Sequence, residues 1–453
     1  MIADDANSQD NGGTQTSHDS AWSQMRAWSA VRVAAQTRAK SKAILPWFAP
    51  PAPRAWPTTP HLLVIGAGLA GSAVAQVMAQ AGWQVTLVDQ AEQPAQAASG
   101  NLAGLVHPLL TADWNIRSQF YWQGLQATWR WVADWVEQGQ VIGDLSGLRQ
   151  ALLNDEDFQT STQWLSQLDI PREWVRVEAA SSANQPAGLV YRQAGWLSPP
   201  SLVQRALDHP SIRFQGGLEV EALVWHATSQ QWHLHSGATN LNADAVVIAT
   251  GALSRLNQAW QLPIRPLKGQ VSYMNQQDCP YPLTGAMAHQ GYTTPPVNGY
   301  WVTGATFEAP DLSQTTSLAS HQRNAEKLAA VIPGWGPPAA NLWQGRVGFR
   351  PTTADHLPII GAIADADWVE EAYLSQPHNK ALFQYPAQRY HPALWVSQGH
   401  GARGLMSVWW AAERIRDQIL GIAPATADAE MNRLDAAVHP GRFSLRPWRK
   451  GQQ

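Results

Sequence analysis

The sequence predicts an α/β (α+β) fold in which a parallel βαβ unit is interleaved with a mainly antiparallel β unit. Three observations predict it. The apolar run HLLVIGAG (61–68) stops at glycines, small and apolar residues follow at helical spacing (69–82), and a second apolar run, WQVTLVDQ (83–90), ends in an acid; that order is one βαβ unit. Far along the chain, NADAVVIATGA (242–252) reads as another buried strand closing on a glycine turn, and LWVSQGHGARG (394–404) runs into glycines and then the helix pattern 405–421. Between them, PLKGQVSYM and GYWVTGATFE, within 264–307, are β-rich and separated by turns.

The elements follow in order. Residues 1–20 hold almost nothing to bury and read as disordered. Residues 21–45 gain Trp, Val and the bases Arg26, Arg32, Arg38, Lys40 and Lys42, and fit a short helix. The segment 46–60 is proline-rich and reads as a stiff linker. A long amphipathic helix is expected over 113–139, shorter helices over 197–209 and 318–333, and a strand-like, turn-rich stretch over 346–363. The expected domains are an extension and linker (1–60), a discontinuous nucleotide-binding domain (61–112, 196–262 and 346–425), a discontinuous substrate domain (113–195 and 263–345) and a basic tail (426–453).

Composition narrows the function classes. Charged residues are 14% of the 453 and the formal net charge is −3, so no global basic field of the nucleic-acid-coat kind is present. The single cysteine, Cys279, excludes an internal disulfide and a Cys-rich metal site, and fits a reducing, cytoplasmic setting. No apolar run is long enough to predict a membrane span. Tryptophan is in excess, with 24 Trp against 8 Phe and 9 Tyr, and packing on helix faces, as at Trp122, Trp129 and Trp135, accounts for only part of it.

Gly66, Gly68 and Gly71 form G-x-G-x-x-G between a strand and a helix, with Asp89 at the end of the next strand. These are the parts of a Rossmann-like dinucleotide site: a tight turn, backbone open to a pyrophosphate, a helix N-terminus facing it, and an acid for ribose hydroxyls. Three features favour FAD over NAD. ASGNLAG (98–104) suits a loop over a bulky ring, VVIATGA returns as a strand of the same sheet, and GHGARG (399–404) opens a second helix whose N-terminus can face the electron-rich edge of a flavin.

The order G-x-G-x-x-G, A-S-G-N, A-T-G, G-R-V-G-F-R-P-T-T-A-D-H-L-P and G-H-G-A-R-G resembles the D-amino acid/glycine oxidase superfamily. Within it, the stretches 82–110, 195–207, 266–272, 355–365 and 402–407 resemble the FAD-dependent oxidase domain of bacterial enzymes that modify carboxymethylaminomethyl-(2-thio)uridine in tRNA. The likeness runs from Pro46 to Lys450. In the two-domain form of that family a methyltransferase precedes the oxidase. Only about 60 residues precede the first strand here, which suggests a stand-alone oxidase served by a separate methyltransferase.

The resemblance implies a substrate, wobble uridine (U34) of tRNA bearing a secondary amine with a carboxymethyl arm, and an oxidoreductase acting on that CH–NH group. It implies cofactor contacts at Gly66, Gly68, Gly71, Asp89, Ser99, Gly100, Asn101, Gly104, Val220, Thr250, Gly251, Gly399, His400, Gly401 and Gly404. Asn101 stands where some relatives carry a flavin-linking histidine and Cys279 lies outside any such motif, so non-covalent FAD is expected, with no metal. Arg350 matches the carboxylate-binding position of similar amine oxidases. Strand alternation puts Arg346 on the same face, and Arg403 and Lys268 are further candidates at the flavin or substrate, against structural roles for each. For Arg350 the competing role is an ion pair with Asp355. His107 and His356 read as core or loop residues. Arg442, Arg446, Arg449 and Lys450, interleaved with Phe443 and Trp448, form a candidate RNA-binding tail. Two other functions fit the sequence: oxidation of free glycine, sarcosine or another small amino acid, and a flavin-containing RNA-binding module without turnover.

Overall fold

The structure, a computed structural model, describes residues 24–25, 27–29, 49–182, 185–279, 283–308, 311–332, 339–374, 386–422 and 429–443. Its first layer is a six-stranded sheet in the order Ile359–Ala364, Tyr390–Gln398, Ala245–Ile248, His61–Ile65, Gln84–Val88, Ile212–Gln215. All neighbours are parallel except the outermost Ile359–Ala364 strand. The central strands are buried over most of their length because both faces are covered. On one face lie the helices Leu69–Gln80, Pro199–Leu207 and Gly404–Leu420, and the long helix Ile116–Glu137 packs on the last of these.

The second layer is an eight-stranded sheet, antiparallel apart from one pair. At its edge, Gln344–Thr352 pairs along its whole length with Arg265–Asn275. Two expected boundaries therefore move. The strand holding Arg346 and Arg350 belongs to this sheet, not to the nucleotide-binding segment expected from 346 onward. The Ile116–Glu137 helix, expected in the substrate domain, packs on the helix that follows the last parallel strand.

The ends depart further from expectation. Within the leading extension, Met25 and Ser29 are buried, and Ser29 Oγ donates to Glu430 at 2.8 Å. Trp28 packs edge-on against Trp114 and Trp174 and tilted against Trp122. The linker docks as well: Trp56 Nε1 donates to the Ile419 carbonyl, and its ring meets Trp83. These contacts account for part of the tryptophan excess, since large rings stitch the ends of the chain to the helical layer. Trp131 and Trp135 pack on Trp409 in the same layer.

The expected basic tail is structural over its described part. Ala429–Val438 is a helix whose Leu434 and Val438 are buried. Arg442, only 3% exposed, pairs with Asp355 and donates to the Val438, His439 and Leu357 carbonyls. A guanidinium so engaged is closed to phosphate, which removes Arg442 from the RNA-binding set and Asp355 from Arg350. Arg446, Arg449, Lys450 and the bases at 26–42 lie outside the described residues. Among the described residues no helix is long and apolar enough to cross a membrane.

Removing Arg442 takes a buried guanidinium away from the part-buried Asp355 carboxylate and from three backbone carbonyls. Arg442→Ala is expected to lower unfolding stability by about 3–5 kcal/mol, read from urea midpoints. A change within about 0.5 kcal/mol, the range of ordinary surface substitutions, would contradict this packing.

Candidate active site

The carboxyl edge of the parallel sheet opens onto two adjoining cavities of about 310 and 530 Å³ that share Gly66, Asp89, Thr250 and Phe349. Two helices present their N-termini here. Neither Gly68 nor Arg403, their N-cap residues, supplies a side-chain capping bond, and Gly68, Leu69, Gly404 and Leu405 all line the larger cavity. Bare backbone at the turn is obligatory. Gly66 has φ +111° and a Cβ there would fall 2.3 Å from the Ala249 carbonyl oxygen, while a Cβ on Gly71 would fall 1.8 Å from that of Gly66.

The carboxylate of Asp89 accepts from the Ala67 and Ala91 amides at 2.7 and 2.9 Å and borders both cavities. Ser99 Oγ accepts from the Leu69 amide, and Ser99, Asn101 and Gly104 line the larger cavity. Val220 lines the smaller one. Thr250 sits in both, Gly251 follows it with positive φ, and Gln398 Nε2 bonds Thr250 Oγ1 at 2.9 Å. Gly399 and Gly401 also have positive φ and form the turn into the second helix with Gly404. Gly100 is absent from both linings: a Cβ on it would meet the Arg346 guanidinium at 2.6 Å. These surroundings fit FAD. Two helix N-termini facing the cavities favour anionic groups, and the double cavity suits an elongated dinucleotide.

Arg350 projects from the eight-stranded sheet into the larger cavity, with Nη1 donating to the Thr306 carbonyl at 3.4 Å and the guanidinium 5.0 Å from the Phe307 ring centre. It has no carboxylate partner among the described residues, and burial pulls its pKa below the usual arginine value. Its room comes from Gly269, where a Cβ would fall 2.2 Å from Nη1. The strand glycine was the available signal, since such a residue often marks a close approach.

Lys268, its neighbour, faces the other way. Its ammonium pairs with Asp311 at 2.6 Å and Glu308 at 4.0 Å, outside both cavities, so the expectation that it meets flavin or substrate is corrected to a structural ion pair. Strand alternation separates the two residues of one motif. Arg346 does share a face with Arg350 but not its pocket. It donates to the Gln96 and Ala97 carbonyls, clamping that loop beside the smaller cavity.

Arg403 lines the larger cavity. Its Nη1 donates to the His107 carbonyl at 2.8 Å, its guanidinium lies 5.4 Å from the Tyr121 ring centre, and burial lowers its pKa. It too has no carboxylate partner among the described residues. The ring of His400 is tied at both nitrogens, to Ser407 Oγ at 2.8 Å and Ser397 Oγ at 3.1 Å, so it braces the glycine turn and has no ring nitrogen free for a cofactor.

Burial holds three cavity-lining histidines neutral: His107 at a pKa of about 3, His289 at about 4 and His400 at about 4. An unfolded histidine titrates near 6.5. Below that pH the unfolded chain therefore binds protons that the folded one refuses. The associated stability is complete above about pH 6.5 and is lost as pH falls toward about 4, by up to about 1.4 kcal/mol per pH unit for each ring. Urea midpoints are expected to fall steadily between pH 7 and 5. A flat profile would contradict neutral burial.

The model of the DAO family, FAD dependent oxidoreductase, matches residues 61–418. The chain is 41% identical over 423 residues to the tRNA 5-methylaminomethyl-2-thiouridine biosynthesis bifunctional protein MnmC of Hydrogenovibrio crunogenus, covering 90% of this chain and 62% of that protein. It is 31% identical over 420 residues to the protein of the same name from Pseudomonas syringae pv. tomato, covering 88% and 61%. The chain thus spans about three fifths of the length of these relatives. Its fold is similar to that of glycine oxidase from Geobacillus kaustophilus, with a TM-score of 0.63, 18% identity, and coverage of 85% of this chain and 99% of that one. The chain belongs to the DAO family of FAD-dependent oxidoreductases.

Proposed function

We propose that this protein oxidises the carboxymethylaminomethyl group of wobble uridine in tRNA, a step in making the 5-methylaminomethyl-2-thiouridine for which its relatives are named. The observation that carries the reading is the buried guanidinium of Arg350, without a carboxylate partner among the described residues, in a cavity that two helix N-termini also face. A planar guanidinium binds a carboxylate through two parallel bonds and fixes its plane. Arg350 therefore anchors the carboxymethyl end and sets the adjoining methylene toward the cofactor.

FAD, bound without a covalent link, supplies the two-electron oxidation of the CH–NH group to an imine. Water then adds to the imine carbon, and C–N cleavage yields aminomethyl-uridine and glyoxylate. Gly66 and Gly68 leave the backbone open to the pyrophosphate, Gly71 lets the helix close on the turn, and Asp89 is poised for ribose hydroxyls. Arg403 adds fixed positive charge to the cavity and, with His400 bracing the turn, keeps the second helix N-terminus in place. No side-chain base is assigned, because an amine arriving neutral needs none.

The test is anaerobic mixing of the FAD-loaded protein with tRNA bearing the carboxymethylaminomethyl group, following flavin absorbance and analysing the nucleosides. Bleaching with conversion of that uridine to aminomethyl-uridine is expected. Bleaching by glycine or sarcosine with the tRNA unchanged would overturn the reading in favour of a small-amino-acid oxidase. In the same assay Arg350→Ala is expected to keep FAD but lose roughly 10²–10³-fold in kcat/KM, as for removal of one partner of a buried charge pair. Arg350→Lys is expected to recover only part, since it keeps the charge but loses the fork. Unchanged kinetics in Arg350→Ala would remove it from the carboxylate role.

A further inference from the structure

Phe307 is an aromatic ring placed where an interior-packing account fails. It follows the buried strand Tyr300–Gly304, lines the larger cavity, and is nonetheless 61% exposed. Two cations hold it: the Arg350 guanidinium 5.0 Å and the Lys327 ammonium 5.9 Å from its ring centre. Lys327 is itself fixed by donating to the Ala305 carbonyl at 2.9 Å, and Arg350 bonds the Thr306 carbonyl, so both cations grip the segment that carries the ring. The carboxylate anchor and an exposed aromatic surface thus stand side by side at one cavity.

A free small amino acid uses the anchor and has nothing to lay on the ring. A substrate with a planar heterocycle one short arm away from its carboxylate uses both. We propose that Phe307 is the stacking platform for the pyrimidine ring of the target nucleoside, so that the pocket reads a base and a carboxylate together. The inference rests on the tRNA reading above and deepens it, since it assigns base recognition to this chain. Stacking on an aromatic side chain suits a splayed, single-stranded nucleotide, which is how unpaired RNA bases are commonly held. The nearby ammonium of Lys327 places a positive charge beside the ring for an adjoining phosphate, while Arg323 on the same rim is paired with Glu308.

The test compares Phe307→Ala, Phe307→Leu and Phe307→Trp with wild type on tRNA carrying carboxymethylaminomethyl-uridine, with FAD absorbance confirming loaded protein in each. Stacking predicts that Ala and Leu lose roughly ten- to a hundredfold in kcat/KM, the range that base–aromatic stacking carries, while Trp stays within about threefold of wild type. Ala or Leu equal to wild type, or Trp falling as far as Ala, overturns the platform while the activity stands. Wild type leaving this tRNA unchanged overturns the activity reading, and this inference with it.

Discussion

The site depends on one constraint: at the carboxyl edge of the parallel sheet, backbone must touch backbone. The Gly66 turn lies against Ala249 and Gly71 lies against Gly66, at separations that leave no room for a Cβ. That contact brings the first helix down onto the sheet with its N-terminus at the cavity. The helix Gly404–Leu420 packs beside it and brings a second N-terminus to the same cavity. Side chains at these glycines would tilt the helices away, and both the field of the two termini and the reach of Arg403 would change.

The second sheet then supplies what the first cannot. A parallel sheet edge offers amides and glycines, which suit a dinucleotide; a carboxylate substrate needs a cation held at a fixed height. The antiparallel pairing of Gln344–Thr352 with Arg265–Asn275 sets that height, since Leu267 stands opposite Arg350 and Gly269 leaves the space its guanidinium fills. Burial of an arginine without an acidic partner among the described residues is costly, a cost that the proposed substrate carboxylate would offset. Arg403 likewise has no carboxylate partner among the described residues, so two guanidiniums and one carboxylate, Asp89, line the cavity in a chain whose net charge is −3.

Much of this was legible in the sequence because it rests on local pattern. The glycine triplet, the acid at the end of the second strand and the run GHGARG each declare a strand ending at a turn. The helix expected over 405–421 is observed over Gly404–Leu420. What stayed hidden depends on contacts between distant segments. Nothing local tells Lys268 from Gly269 as the pocket-facing residue until the register against Arg350 is fixed. The basic appearance of the tail concealed that Arg442 is spent on Asp355, 87 residues away. Likewise Trp28 looks idle until Trp114, Trp122 and Trp174 meet it. Phe307 gave no sequence signal, because exposure of an aromatic is a tertiary property.

Arg350 is proposed to receive a substrate carboxylate beside the flavin. A crystal structure of the protein with its FAD reduced beforehand and carboxymethylaminomethyl-uridine bound, kept anaerobic so that the substrate is not oxidised, tests it most directly. The expected result is the carboxylate bound side-on to the Arg350 guanidinium through two hydrogen bonds of about 2.8 Å, with the adjoining methylene facing the flavin ring. A carboxylate bound at Arg403 or on the surface instead, with Arg350 still bonded only to the Thr306 carbonyl, would contradict it.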